Sequence, residues 1–236
     1  MNKRIFVINH WIKFLVFTPI AYFLWLTRFH HNHEVVLLAL FIPISTQYVV
    51  AGIGTNLFKL WEFHTKNILG HAPIFHGIAV GAAVSLMTYI SMDAHPVVDL
   101  TVLSVLRIGV TTGTFVGFWY WAYDICLVKS GFMSVYNRKY QRGADPETVV
   151  TDYSPMHFGV FGMCNGISMC IIEHFLVVQE KHELFWTIAI ACTVVTMFLP
   201  TLIYVLFNLA VHGDPGLKSY KDVTLSSIEK QGKENR

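Results

Sequence analysis

Twelve histidines stand in a chain of 236 residues in which 54% are hydrophobic and only 14% charged. Imidazole titrates near neutrality and is the commonest side-chain ligand for iron, zinc and copper, so histidines gathered at one level of an apolar chain point to a metal or proton-handling site. Placed by the helices argued below, His10, His64, His71, His76, His157 and His212 fall towards one edge, and His30, His31, His33, His95, His174 and His182 towards the other. In the first group His157 follows Ser154-Pro155, which reads as a helix start. The positive end of the helix dipole there disfavours imidazolium and keeps the ring in its metal-binding form. His64, His71, His76 and His157, with Asp152, are the candidate metal ligands, and Asp124 is a second carboxylate for the site. Iron is the metal expected, with copper as an alternative. Haem b is another, with His76 and His157 as axial pair, because two imidazoles from neighbouring helices at matched depth can ligate one iron. In the second group, His30-His31-Asn32-His33-Glu34 is a short tract that could bind metal together with Asp93, His95 and His182.

Four ionisable residues lie inside apolar stretches: Lys13, Arg107, Asp124 and Glu173. A charge at the bilayer centre costs about 2.5–3.5 kcal/mol on insertion scales, so each needs a partner or a purpose. Depth suggests the pairs Arg107–Glu173 and Lys13–Asp124, and Asp124, Glu173 and Arg107 are the candidate catalytic groups. Two fragments resemble parts of known families. His71-Ala-Pro-Ile-Phe-His76 has the spacing of one histidine box of membrane fatty-acid desaturases, whose HxxHH boxes are absent here. Asp152-Tyr-Ser-Pro-Met-His157 resembles a stretch of the C subunit of copper membrane monooxygenases over six residues, without that family's upstream Asp-x3-His. Neither makes the chain a member.

The elements that must position these groups are apolar stretches of about 20 residues, the length that crosses a hydrocarbon core of about 30 Å. Six occur, at about 8–26, 35–57, 73–92, 101–127, 156–178 and 184–210, giving an all-α fold, a bundle of six transmembrane helices. The run after Lys3 and Arg4 ends at Leu26-Thr27-Arg28 without a small-residue cleavage site, so it reads as a retained helix rather than a signal peptide. The charge deficit excludes an ordinary soluble enzyme, a disordered chain and a nucleic-acid partner. Cys126, Cys164, Cys170 and Cys192 form no disulfide or zinc pattern.

A net charge of +2 conceals a strong asymmetry. With the N-terminus inside, thirteen Lys and Arg fall in inner segments and only Arg28 and Lys181 in outer loops, which predicts a multi-pass protein with both termini cytoplasmic. The loop 128–155 carries Phe132, Tyr136 and Tyr140 at four-residue intervals, predicting an interfacial helix, and Asp145-Pro146 predicts a capped second one. Residues 213–236 read as a polar tail. In the fifth span, Gly159, Gly162, Gly166, Cys170 and Glu173 form one stripe and His157, Phe161, Cys164 and Ser168 another, which places that helix at the bundle centre. Gly77, Gly81 and Ser85 predict that the third span packs beside it.

The reading that unites these features is a membrane metal-dependent oxidoreductase acting on a lipid or other apolar substrate. Phe118-Trp119-Tyr120-Trp121 would line its channel, and a redox partner or further membrane subunits would serve it. Two rivals are a haem-bearing electron-transfer subunit and a metal-free transporter or accessory subunit. Pro43 and Pro200 would favour the transporter, as points where helices open near mid-membrane. The chain contains no Walker loop, HExxH or GxSxG motif, which sets aside nucleotide-driven pumps and the common hydrolases. The leading reading predicts iron and no Soret absorption in the detergent-purified protein. A Soret band would establish the haem reading, and neither signal would leave the metal-free one.

Overall fold

Long apolar stretches leave the backbone no hydrogen-bond partner but itself. In the computed structural model, which describes residues 3–221, they are helical. Helix α1 covers Lys3–Arg28 and α2 His33–Leu57. Three short strands follow, β1 at Trp61–Phe63, β2 at Ile68–Leu69 and β3 at Ala72–Pro73, then α3 at His76–Ser91 and α4 at Val102–Lys129. Strand β4 at Met133–Val135 precedes the short helices α5 (Arg138–Gln141) and α6 (Pro146–Thr151). Helix α7 covers Ser154–Ile172 and runs on through a wide π-type turn at Glu173–Val178, and α8 covers Phe185–His212. The polar tail expected over 213–236 is described as far as Lys221; its remainder lies outside the described residues.

Five helical segments among the described residues are long and apolar enough to cross a membrane, and α3 is a shorter apolar helix of 16 residues. Their outward surface carries large apolar side chains such as Leu37, Phe41, Phe118, Trp186 and Ile190, each more than half exposed, as in a multi-pass membrane protein. The chain is predominantly helical rather than all-α. β1 pairs antiparallel with β4, with Trp61 opposite Val135 and Phe63 opposite Met133, and β2 pairs with β3. Of the interfacial helix expected over Phe132, Tyr136 and Tyr140, only the short α5 around Tyr140 is helical, and Met133–Val135 between Phe132 and Tyr136 is a strand, because a spacing of four fits a two-residue repeat as well as a helical turn. The second expected helix forms as read: the Asp145 side chain accepts from the Thr148 N–H and Pro146 opens α6.

Helix α7 is central, and its tightest neighbour is α4. A Cβ at Gly113 would lie 2.6 Å from the Gly159 carbonyl oxygen, and one at Gly162 2.9 Å from that of Thr112, so no larger residue fits this seam. Polar bonds tie the same helix elsewhere, from Asn165 Nδ2 to Thr88 Oγ1 of α3 (2.6 Å) and between Ser168 and Thr196 of α8 (3.2 Å). The small face of α3 packs differently from expectation. Gly81 abuts Ile44 of α2, and Ser85 donates to the Ala39 carbonyl while accepting from Trp25 Nε1, so this face closes on α1 and α2. Pro43 and Pro200 sit inside continuous helices. The irregular turns fall instead at Lys13–Phe17, Ile53–Leu57 and Glu173–Val178, two of them opening on a buried ionisable residue.

At one end of the bundle the expected Arg107–Glu173 pair is not formed. Glu173, fully buried, receives two hydrogen bonds from Arg28 (2.6 and 3.0 Å) and one from the Val97 N–H (3.1 Å), while Arg28 also donates to the Asp93 carbonyl. Arg107 pairs with Asp93 in a more exposed position. The end of α1 brings Arg28 to Glu173, whereas Arg107 on α4 turns to Asp93. Removing one partner of a buried pair strands the other charge. Arg28→Ala is therefore expected to cost about 3–5 kcal/mol, measured by reversible unfolding in detergent, whereas Arg107→Ala is expected to cost at most about 1 kcal/mol because its pair is solvated. Equal losses would contradict this assignment.

Candidate functional site

The opposite end holds the inner-edge histidines, and there the chain encloses a cavity of about 350 Å³. Three segments distant in sequence close this end. The β1–β4 pair forms a floor with Trp61, Phe63, Met133 and Val135 in the cavity wall, and the C-terminal segment adds Gly216 and Leu217. That segment is held by the Tyr220 N–H donating to the Tyr136 carbonyl (2.9 Å) and by Ser219 Oγ donating to the Lys59 carbonyl (2.7 Å).

The polar part of the wall comes from helix ends. His10 of α1, His76 of α3, Asp124 of α4 and His157 of α7 all line the cavity. The His10 and His76 rings stack at 6.1 Å between centroids and 27° between planes. His10 Nδ1 lies 2.8 Å from the Phe6 carbonyl and donates to it, which leaves Nε2 as the acceptor nitrogen. His76 Nδ1 is buried without a partner. The Tyr153 hydroxyl donates to Asp124 Oδ2 at 2.8 Å. Behind the wall, the Lys13 ammonium sits 3.8 Å from the Tyr123 ring centroid and interacts with Asp124 at longer range, with no hydrogen-bond acceptor of its own. The expected Lys13–Asp124 ion pair is therefore not formed: the ammonium rests on the Tyr123 ring and feels Asp124 only at longer range. The apolar part of the wall is ordered by stacking of Tyr120 on Phe158, 4.6 Å between centroids, while the Tyr120 hydroxyl donates to the Val80 carbonyl.

Of the residues expected from sequence, the cavity brings together His76, His157 and Asp124. His64 follows β1, half-exposed, and shares a hydrogen bond with Ser134 (2.8 Å). His71 is exposed in the turn between β2 and β3. Asp152 is neutralised by Arg138 at 2.9 Å and bonded by Asn137. None of these three lines the cavity: His64 and Asp152 are taken up by Ser134 and Arg138, and His71 is exposed in a hairpin turn. Arg107 and Glu173 lie at the far end, apart from Asp124. Of the aromatic run only Tyr120 faces the cavity; Phe118 and Trp119 point outward, and Trp121 donates to Thr151. In the outer group, Asp93 is engaged by Arg107, and His33 bonds the Tyr22 hydroxyl. Among the described residues, no three His, Cys, Asp or Glu side chains form a cluster that could hold a metal ion. The wall residues not expected as site candidates are His10, Gln47 and Tyr123; His10 is one of the inner-edge histidines, three residues before a wide helical turn. Compared with known proteins, the chain matches no family model, no curated protein and no solved structure.

The floor carries its own electrostatic clamp. Glu62 of β1 accepts from the Tyr136 hydroxyl and from the Lys221 ammonium. Partial burial alone would raise the Glu62 carboxyl, but the hydrogen bonds from Lys221 and Tyr136 outweigh it and hold the group below its ordinary value of 4.5. Burial and the neighbouring Glu62 push the Tyr136 hydroxyl up. A carboxyl depressed on folding stabilises the clamp above its ordinary range and loses that contribution as pH falls through the lowered value. The C-terminal segment is therefore expected to resist trypsin at Lys218 at neutral pH and to become sensitive to an acid-active protease only below pH 4.5. Glu62→Gln is expected to show trypsin cleavage at Lys218 already at neutral pH. Unchanged resistance in that variant would remove the clamp from the account.

Proposed function

We propose that this chain is an integral membrane protein of six spans, α3 included, with both termini on the cytoplasmic side, and that its cavity takes up a lipid or other apolar molecule from the bilayer. The observation that carries the reading is where the wall meets the outer surface. Val49, Ile53 and Phe58 from the end of α2, and Phe198 from α8, line the cavity and are also 37%, 39%, 38% and 56% exposed. The wall therefore continues into the apolar belt between those two helices, so that a molecule dissolved in the hydrocarbon meets only apolar surface on its way in. A mostly apolar cavity with a few convergent polar groups is the usual form of a small-molecule site. The orientation is supported by the basic excess: Lys59, Lys129, Arg138, Lys139 and Lys221 belong to the segments that gather at the cavity end.

A second reading, that the site is a metal-dependent oxidoreductase, is favoured by the stacked His10 and His76 rings, the unpartnered His76 Nδ1, and His157 in the same wall. Bound iron would supply oxygen activation, which side chains lack, with electrons from a redox partner. His10 and His76 are the two imidazoles in contact, and among the described residues no third His, Cys, Asp or Glu clusters with them.

Extraction of the purified protein followed by mass spectrometry is expected to find a retained apolar molecule that is lost from Thr201→Trp, which fills the mouth beside Phe198. The variant should unfold at the wild-type temperature. No retained molecule, or equal retention by both proteins, would contradict the reading. Iron in the wild type that disappears in both His76→Ala and His157→Ala would establish the second reading, and its absence from the wild type would remove it.

A further inference from the structure

The cavity wall contains three hydrogen-bonding atoms that are buried and have no partner: Gln47 Nε2, the Tyr123 hydroxyl and His76 Nδ1. Unsatisfied polar atoms are rare in folded interiors, and each costs about 1–3 kcal/mol if nothing occupies its direction. Neighbouring wall groups are satisfied in ways that contrast with these three. Tyr120 donates to the Val80 carbonyl, Tyr153 to Asp124, and His10 to the Phe6 carbonyl. The residues that carry them, on α2, α4 and α3, line the cavity from three different helices. Gln47 Nε2 can only donate, while the phenol and the imidazole nitrogen can donate or accept. One occupant that satisfies all three presents an oxygen acceptor.

The charge at the site selects among such oxygens. Lys13, a buried cation behind the wall, and Asp124, a buried carboxyl group in it, offset one another. An added carboxylate would meet Asp124 across the cavity without a hydrogen-bonded cation of its own, because Lys13 stands behind the Tyr123 ring. An uncharged oxygen avoids that repulsion and still takes the available donors.

Resting on the apolar-ligand reading above, we propose that the cavity recognises an apolar molecule with an uncharged carbonyl oxygen, of the ketone, ester or quinone class. Gln47 and Tyr123 donate to that oxygen, His76 Nδ1 lies beside it, and the hydrocarbon part extends towards Ile53 and Phe198.

The test uses the full chain in lipid nanodiscs and three probes of one chain length, 2-tridecanone, n-tridecane and tridecanoate, with binding read from the shift in unfolding temperature over a concentration series. Two hydrogen bonds of about 0.5–1.5 kcal/mol each predict that the ketone binds about fivefold or more tighter than the alkane. Gln47→Leu and Tyr123→Phe are each expected to reduce that preference about threefold or more while leaving alkane binding in place, which also shows that the variants are folded. Equal binding of ketone and alkane, or tighter binding of the carboxylate, overturns the carbonyl assignment and leaves the cavity as an apolar site. Binding of none of the three overturns both readings.

Discussion

The contact on which the rest depends is the glycine seam between α4 and α7. Where Gly113 meets Gly159, backbone touches backbone, and the two helices are held closer than any side chain would permit. Everything at the cavity end is measured from that point. Two turns along α4 stands Tyr120 and a further turn Asp124. On α7, Phe158 adjoins Gly159, and Tyr153 lies just before the helix begins. The Tyr120–Phe158 stack and the Tyr153–Asp124 hydrogen bond follow from the same close approach, so the polar wall is fixed by a contact that contains no polar side chain.

The two ends of the bundle use buried charge differently. At the far end, Arg28 and Glu173 satisfy one another completely, and the Val97 N–H and Asp93 carbonyl take up what remains. That arrangement fixes the loop after α3 against α1 and α7 and leaves nothing for a ligand. At the cavity end, Lys13 and Asp124 form no direct ion pair, and three polar atoms of the wall stay unmatched. The first is a lock and the second has the character of a site, although both begin from a charge placed within apolar sequence.

Much of the bundle was legible in the sequence because hydrophobic length and small-residue stripes act locally along each helix. The central place of the fifth span and the Asp145-Pro146 cap follow from such patterns. Which charge meets which did not, since depth fixes a residue's height but not its direction around the helix; Glu173 accordingly found Arg28 rather than Arg107. The floor was missed for a related reason: pairing of 61–63 with 133–135 is a contact across some seventy residues with no local trace. His64, His71 and Asp152 carried the right chemistry, but Ser134 and Arg138 engage His64 and Asp152, and His71 is exposed in a hairpin turn. His10 stood on the correct edge, and only the packing of α1 beside α3 brings it to His76.

The central claim is that the cavity communicates with the hydrocarbon between α2 and α8. Photolabelling in nanodiscs with a bilayer-dissolved alkyl diazirine, mapped by peptide sequencing, tests it most directly. The account predicts labels on Tyr120, Leu127 and Phe63, which line the cavity and are closed to the outer surface. Labels confined to outward-facing residues such as Leu37, Phe41 and Ile190 would contradict it.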